Sequence, residues 1–371
     1  MKRTSFLFVG LATSLLLFVI AGCRGEKKDR QFSKLSSSET GINFRNDIRD
    51  NDSSNSFINE FGYMGGGVGI GDFNNDGKKD IFFTANQSSS RLYVNEGNLQ
   101  FKDITEMAGL TTSVWATGVS IVDINNDGYD DIYICTYGKN LLRRSPNLLY
   151  INQKNLTFKE EAAAYGLADT SYSSQATFLD YDRDGDLDMF LVNYSFNNSN
   201  VNANNIVTKD LSGHSPANDR LYRNDGNGQG HPVFTDVSLE AGIKEDGYGL
   251  GVTVSDFNGD GWPDIYVAND FVSNDNLWQN NGDGTFTNRI ATALRHQSYS
   301  SMGVDAADMN NDGLSDIVTL DMLPEYNERK KTSFFFMNYE RYQAERFKGY
   351  EPQFMRNMLQ HNNGNRFRGD T

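Results

Sequence analysis

The sequence predicts an all-β protein built from repeated four-stranded antiparallel blades. Three observations predict it. A nine-residue acidic motif recurs five times, short β-branched and aromatic runs flank each copy, and Gly, Asn and Asp cluster in the turns between them. A repeat at a period of tens of residues marks an array of supersecondary units. Many short strands separated by turn clusters read as all-β.

The motif reads Asp-x-(Asn/Asp)-x-Asp-Gly-x-x-Asp. It begins at Asp72, Asp123, Asp180, Asp256 and Asp308, at spacings of 51, 57, 76 and 52 residues. An apolar run leads into it, as at 67–71, 118–122 and 251–255, and another leads out, as at 81–83, 132–134 and 265–267. A second motif follows: Leu92-Tyr93-Val94-Asn95, then Leu149-Tyr150-Ile151-Asn152, Leu221-Tyr222-Arg223-Asn224 and Leu277-Trp278-Gln279-Asn280. A turn and a strand centred on Phe101, Phe158, Phe234 or Phe286 close the unit. Each unit is therefore strand A, nonapeptide turn, strand B, loop, strand C, tight turn, strand D. Such blades bury both sheet faces against their neighbours, which is the β-propeller solution to exposed edges. The fifth unit carries an insertion in which residues 340–346 predict a helix.

The nonapeptide gathers hard oxygen ligands on one tight loop. Side-chain oxygens come from positions 1, 3, 5 and 9, and the backbone carbonyl comes from position 7. In the first copy these are Asp72, Asn74, Asp76 and Asp80, with Lys78 at position 7. The second has Asp123, Asn125, Asp127 and Asp131, with Tyr129. The third has Asp180, Asp182, Asp184 and Asp188, with Asp186. The fourth has Asp256, Asn258, Asp260 and Asp264, with Trp262, and the fifth has Asp308, Asn310, Asp312 and Asp316, with Leu314. This set suits Ca²⁺, at about five sites with a structural role. The start resembles an EF-hand loop, but no Glu stands at position 12 and the loop joins strands. Asp-Asn-Gly runs also make plain hairpin turns. A plain turn, however, has no evident use for an acid at position 9 in every copy.

These nonapeptides, the Leu-Tyr-x-Asn strands and the linker from Phe101 through Asp103 to Gly109 resemble FG-GAP/VCBS repeats. Their order and spacing are similar to the propeller half of bacterial relatives of cartilage acidic protein, which are associated with an ASPIC/UnbV module. The calcium loops also resemble those of the integrin α-subunit. The resemblance covers residues 40–371 and implies a calcium-binding propeller, usually of seven blades. The chain stops within the last strand of its fifth unit, so part of a larger ring, truncated at the C-terminus, is expected.

The N-terminus reads as an address. Lys2 and Arg3 precede an apolar stretch, 6–20, and then Ala21, Gly22 and Cys23. This is a signal peptide, 1–22, too short for a stable membrane span. Residues 20–23 resemble the bacterial lipobox, which implies a lipid on Cys23. A polar tether, 23–40, would then lead to the propeller, 41–371. The expected place is the cell envelope, lipid-anchored to the outer membrane or cell surface of a bacterium, with the membrane as one partner.

The formal net charge of −15 argues against a nucleic-acid surface. Cys135 lies in an apolar run and is expected to be a buried small hydrophobe. The four His are scattered, and no nucleophile motif or zinc spacing is present.

The metal turns would share one end of the blades, and long insertions the other. About 25 residues separate Asn193 from Asp219, and about 35 separate Asp321 from Asn357. At that end an aromatic stands eight or nine residues before each nonapeptide: Tyr63, Trp115, Tyr172, Tyr248 and Tyr299. Asn86, Asn193, Asn269 and Asp321 end the B strands beside them. Two readings stand. These residues line a mouth that stacks sugars or grips a peptide, or they repeat a packing position. The function expected is a surface binding or adhesion module for an extracellular glycan or protein. The alternative is a calcium-dependent polysaccharide-degrading enzyme on the same scaffold.

Overall fold

Five four-stranded antiparallel sheets succeed one another along the chain, each with its strands in sequence order. They are seen in a computed structural model that describes residues 32–52, 55, 62, 64–138, 144–194, 206, 208–226, 228, 230–332, 338–364 and 367–370. The signal segment, Cys23 and Tyr63 lie outside the described residues.

The chain divides into a short unit, 1–41, and the repeat unit, 42–371. In the first, Ser37–Thr40 make one helical turn within the segment read as a tether. The Ser36 N–H donates to the Glu39 carboxylate at 2.7 Å, the back-half of a capping box.

In the repeat unit, blade 1 comprises Val68–Gly71, Asp80–Phe83, Arg91–Gly97 and Gln100–Asp103. Blade 2 comprises Trp115–Val122, Asp131–Tyr137, Leu148–Asn152 and Phe158–Glu160. Blade 3 is Ser173–Leu179, Asp188–Asn193, Arg220–Asn224 and Phe234–Asp236. Blade 4 is Gly249–Ser255, Asp264–Asn269, Asn276–Asn280 and Phe286–Asn288. Blade 5 is Ser301–Ala307, Asp316–Asp321, Met358–Asn362 and Phe367–Asp370. The predicted helix of the insertion is Tyr339–Phe347. A short parallel pair, Gln297–Ser298 with Gln353–Phe354, holds the end of that insertion. Residues 367–370 pair with 359–362 and complete four strands.

The register places the nonapeptides. Strand A pairs with strand B so that the residue before position 1 faces position 9: Gly71 opposite Asp80, Val122 opposite Asp131, Leu179 opposite Asp188. The two ends of the ligand run therefore meet at the mouth of a hairpin.

Packing occurs between blades. Separate apolar clusters join blades 1 and 2, 2 and 3, 3 and 4, and 4 and 5. Every residue of strand B in blades 2, 3 and 4 is buried, because both faces are covered. This explains their unbroken apolar runs. Strand A approaches the next blade so closely that a Cβ on Gly69 would stand 2.7 Å from Ile121. The end blades differ. Val68 and Ile70 of blade 1 and Leu320 of blade 5 are exposed, so among the described residues each end blade keeps one face without a neighbouring blade.

Candidate metal loops

In each nonapeptide the Gly at position 6 has a left-handed backbone, with φ from 81° to 98°. This is the turn that the sequence assigned to it. Position 4 is left-handed too, at Asn75, Asn126, Arg183, Gly259 and Asn311. That requirement went unread, although Asn and Gly fill four of the five copies.

Two left-handed residues fold the backbone N–H groups inward onto the acids. The position-1 carboxylate accepts from the position-6 N–H in all five loops, at 2.8 Å from Gly77, 2.7 Å from Gly128, 3.2 Å from Gly185, 2.8 Å from Gly261 and 2.9 Å from Gly313. The position-3 oxygen accepts from the position-5 N–H, as Asn74 does from Asp76 at 3.1 Å and Asn258 from Asp260 at 3.0 Å. The position-5 carboxylate accepts from the position-7 N–H, at 2.9 Å for Lys78 and 2.8 Å for Trp262. The backbone thus presets oxygens from positions 1, 3 and 5 on one loop.

Position 9 has a second use. Asp80, Asp131, Asp188, Asp264 and Asp316 are all buried. One oxygen accepts from the position-2 N–H, at 3.1 Å for Phe73 and 3.0 Å for Phe257. The other accepts from the N–H of the Asn that ends the second motif, at 2.8 Å for Asn95, 2.7 Å for Asn152 and 2.8 Å for Asn224, Asn280 and Asn362. A buried carboxylate thereby clamps the loop to strand C. Burial pushes Asp131, Asp188 and Asp264 up to about 7. The two N–H donors pull down against this, and the neighbouring loop carboxylates add to the rise.

The third loop is the most acidic. Asp180, Asp182 and Asp188 offer oxygens within 4.8 Å of one another, an acidic cluster that could hold a metal ion. Asp180 Oδ1 and Asp186 Oδ1 are buried without a hydrogen-bond partner. Burial first, then the adjacent acids, pushes Asp186 up to about 6. Unpaired buried oxygens beside like charges fit a hard divalent cation, which would supply the missing partner and cancel the repulsion. Asp180, Asp182, Asp184 and Asp188 would hold it there.

The Asn of the second motif also ties neighbouring blades together. Asn152 Nδ2 donates to the Phe73 carbonyl at 2.9 Å, Asn280 to Tyr181 at 2.8 Å and Asn362 to Phe257 at 2.7 Å. Each acceptor is position 2 of the preceding blade's loop. The position-2 side chain packs onto the following blade as well. Phe73 meets Phe158 edge-on at 5.8 Å, and Phe257 meets Phe367 at 5.9 Å. In blade 5 the equivalent Met309 is exposed, as the bare face requires. Neither role was assigned from sequence. The signal available was an apolar position 2 in every copy.

At the opposite end, Trp115, Tyr172 and Tyr248 are buried in one cluster with Tyr137 and Tyr194. Tyr137 lies 4.9 Å from Tyr172, and Tyr194 lies 5.2 Å from Tyr248. Tyr299 is buried apart from them. Its hydroxyl donates to Glu345 at 3.0 Å, and Arg341, paired with Glu345 at 2.8 Å, covers its ring. The insertion helix therefore roofs this position. The strand-end polar groups are committed internally. Asn86 donates to the Gly65 and Ala116 carbonyls, both at 2.9 Å. Asn193 donates to Asn218 and Asn269 to Asn274, each at 2.8 Å. Asp321 accepts from Ser298 at 2.6 Å and from the N–H groups of Tyr299 and Ser300 at 3.1 Å. Three of the five expected aromatics thus share one buried cluster, where Tyr172 and Tyr248 pack on Tyr137 and Tyr194. Cys135 is buried as expected, and burial pushes its thiol up.

Serial blades with an acidic loop at each A–B turn define the class: this chain is similar to proteins of FG-GAP-like repeats. The FG-GAP-like repeat family matches residues 72–134, 207–267 and 256–319. The chain is similar to cartilage acidic protein 1 of Mus musculus, 26% identical over 208 residues, covering 55% of this chain and 28% of that protein. It is similar to the Homo sapiens protein at 26% over 211 residues, covering 56% and 28%. The match therefore spans little more than a quarter of those relatives. Among solved structures, the V. cholerae biofilm matrix protein Bap1 aligns with 68% of this chain and 34% of its own, at 15% identity and a TM-score of 0.32. No helix among the described residues is long and apolar enough to cross a membrane.

Proposed function

We propose that this chain is an exported, lipid-anchored propeller that binds calcium in its five loops and serves as a surface binding or adhesion module for glycan or protein. The observation that carries the calcium reading is the third loop, where three acids converge within 4.8 Å and two buried oxygens lack partners. The stabilising role follows from the position-2 ties, which join the first, third and fourth loops to the blade that follows each. Exported calcium modules bind at about 10⁻⁴ to 10⁻³ M. At about 2 mM Ca²⁺ a site of 10⁻⁴ M would stabilise the fold by about 1.8 kcal/mol. The binding role rests on the long insertions at the end away from the loops. The lipid anchor rests on the sequence around Cys23.

The test uses the full chain with millimolar Ca²⁺ or with EDTA. Calcium is expected to raise the melting temperature, and glycan-array or pull-down binding is expected without product release. A melting curve indifferent to calcium and chelator sinks the metal reading. Turnover of a polysaccharide would replace the adhesion reading with the enzymatic one.

A further inference from the structure

We propose that the five loops fill with calcium in an order set by side chains outside the shared ligand pattern. The third loop binds most tightly, and the first binds most weakly because Lys78 acts as its built-in counter-ion. This deepens the calcium reading and rests on it.

The loops share a backbone, so their differences lie in charge. In the first, the Lys78 ammonium lies 2.7 Å from Asp76 Oδ2, and Lys79 is its neighbour in sequence. An incoming cation must displace that ammonium from a ligand oxygen or bind beside a like charge. In the second, Lys154 lies 3.5 Å from Asp127 Oδ2 and 5.5 Å from the Tyr129 ring. Among the described residues no basic side chain is paired with Asp184, Asp260 or Asp312. The fourth and fifth loops each carry three acids and no lysine. The third replaces Asn by Asp182 at position 3 and adds Asp186 at position 7. Its Asp180 and Asp186 each keep a buried oxygen with no donor to be displaced. Its own basic residue, Arg183, is turned to the Trp262 ring at 5.2 Å, and Arg223, whose charge reaches Asp182, is held by Asp225 at 2.7 Å rather than by a loop carboxylate. Ligand charge count sets affinity in oxygen-ligand loops. The order expected is the third loop, then the fourth and fifth, then the second, then the first. At limiting calcium the middle of the array would be loaded while blade 1 is not.

The experiment is calorimetric titration of the metal-stripped full chain with CaCl₂, for the wild type, Lys78→Met and Asp182→Asn. The wild type is expected to show at least two classes of site. Lys78→Met should tighten one weak site by about tenfold, and Asp182→Asn should weaken the tightest by about tenfold. Lys78 is partly exposed, so its removal does not threaten the fold if Asp182→Asn fails to fold. A wild type that binds no calcium overturns the calcium reading and this order together. Calcium binding with isotherms unchanged in Lys78→Met, and in Asp182→Asn where it folds, overturns the order alone. That second result would mean that the Lys78 pair is an ordinary exposed ion pair of small effect.

Discussion

Replacing Asn280 by Ala should separate the bond that joins two blades from the bonds that close one loop. Asn280 is buried. Its Nδ2 donates to the Tyr181 carbonyl of blade 3 at 2.8 Å and to the Pro263 carbonyl of its own loop at 3.3 Å. Its Oδ1 accepts from the Gly282 N–H at 2.9 Å. Three bonds at about 1 kcal/mol each give a loss of about 3 kcal/mol. The backbone bond from Asn280 N–H to Asp264 survives in Ala. Asn224 supplies the control. Its side chain donates to the Leu187 carbonyl at 3.3 Å and accepts from Gly226 at 3.0 Å, both within blade 3. Asn224→Ala should cost about 2 kcal/mol, and the difference of about 1 kcal/mol is the tie between blades. Urea denaturation in saturating calcium measures both. The Asn280 variant should also broaden the transition, because serial units whose interface weakens unfold less as one. Equal losses within about 0.3 kcal/mol, or a loss under about 1 kcal/mol for Asn280→Ala, would refute the role assigned to the Tyr181 bond.

Two further outcomes are expected. Cys135→Ser places a hydroxyl in a fully buried apolar strand and should cost about 1–3 kcal/mol in urea denaturation, while wild-type Cys135 resists thiol reagents until the chain unfolds. A native protein labelled at once would contradict that burial. Burial pushes Asp275 up to about 7, against the Tyr266 hydroxyl, the Asn269 N–H and Ser301 that favour its charge. The unfolded value is about 3.9, so the fold binds the proton more tightly and loses stability as pH rises from about 4 to about 7. Asp275→Asn should reduce that slope by the share of one group, since Asp131, Asp188 and Asp264 titrate in the same window, and a variant with the wild-type slope would show that Asp275 does not contribute to it.

The architecture was legible because its signals are local. A nonapeptide, its flanking strands and its Gly at position 6 all sit on one hairpin, and the repeat multiplies the message five times. The insertion helix could be read from residues 340–346 for the same reason. The ties between blades could not be read in this way. Asn152 reaches a carbonyl 79 residues away, Asn280 one 99 away and Asn362 one 105 away. Tyr137 and Tyr194 belong to the buried aromatic cluster through rings supplied by neighbouring blades. Position 9 marks the limit of the sequence argument most sharply. An acid there looked useless to a plain turn, yet Asp264 accepts from Phe257 and Asn280 and so clamps loop to strand with no ion required. The recurrence of that acid is therefore explained by the fold as well as by a metal. The discriminating positions are 1, 3 and 5, whose oxygens the loop backbone turns inward together. The discriminating copy is the third, where Asp182 and Asp186 add charge that the clamp does not use. A plain structural turn gains nothing from that added repulsion, and a cation site does.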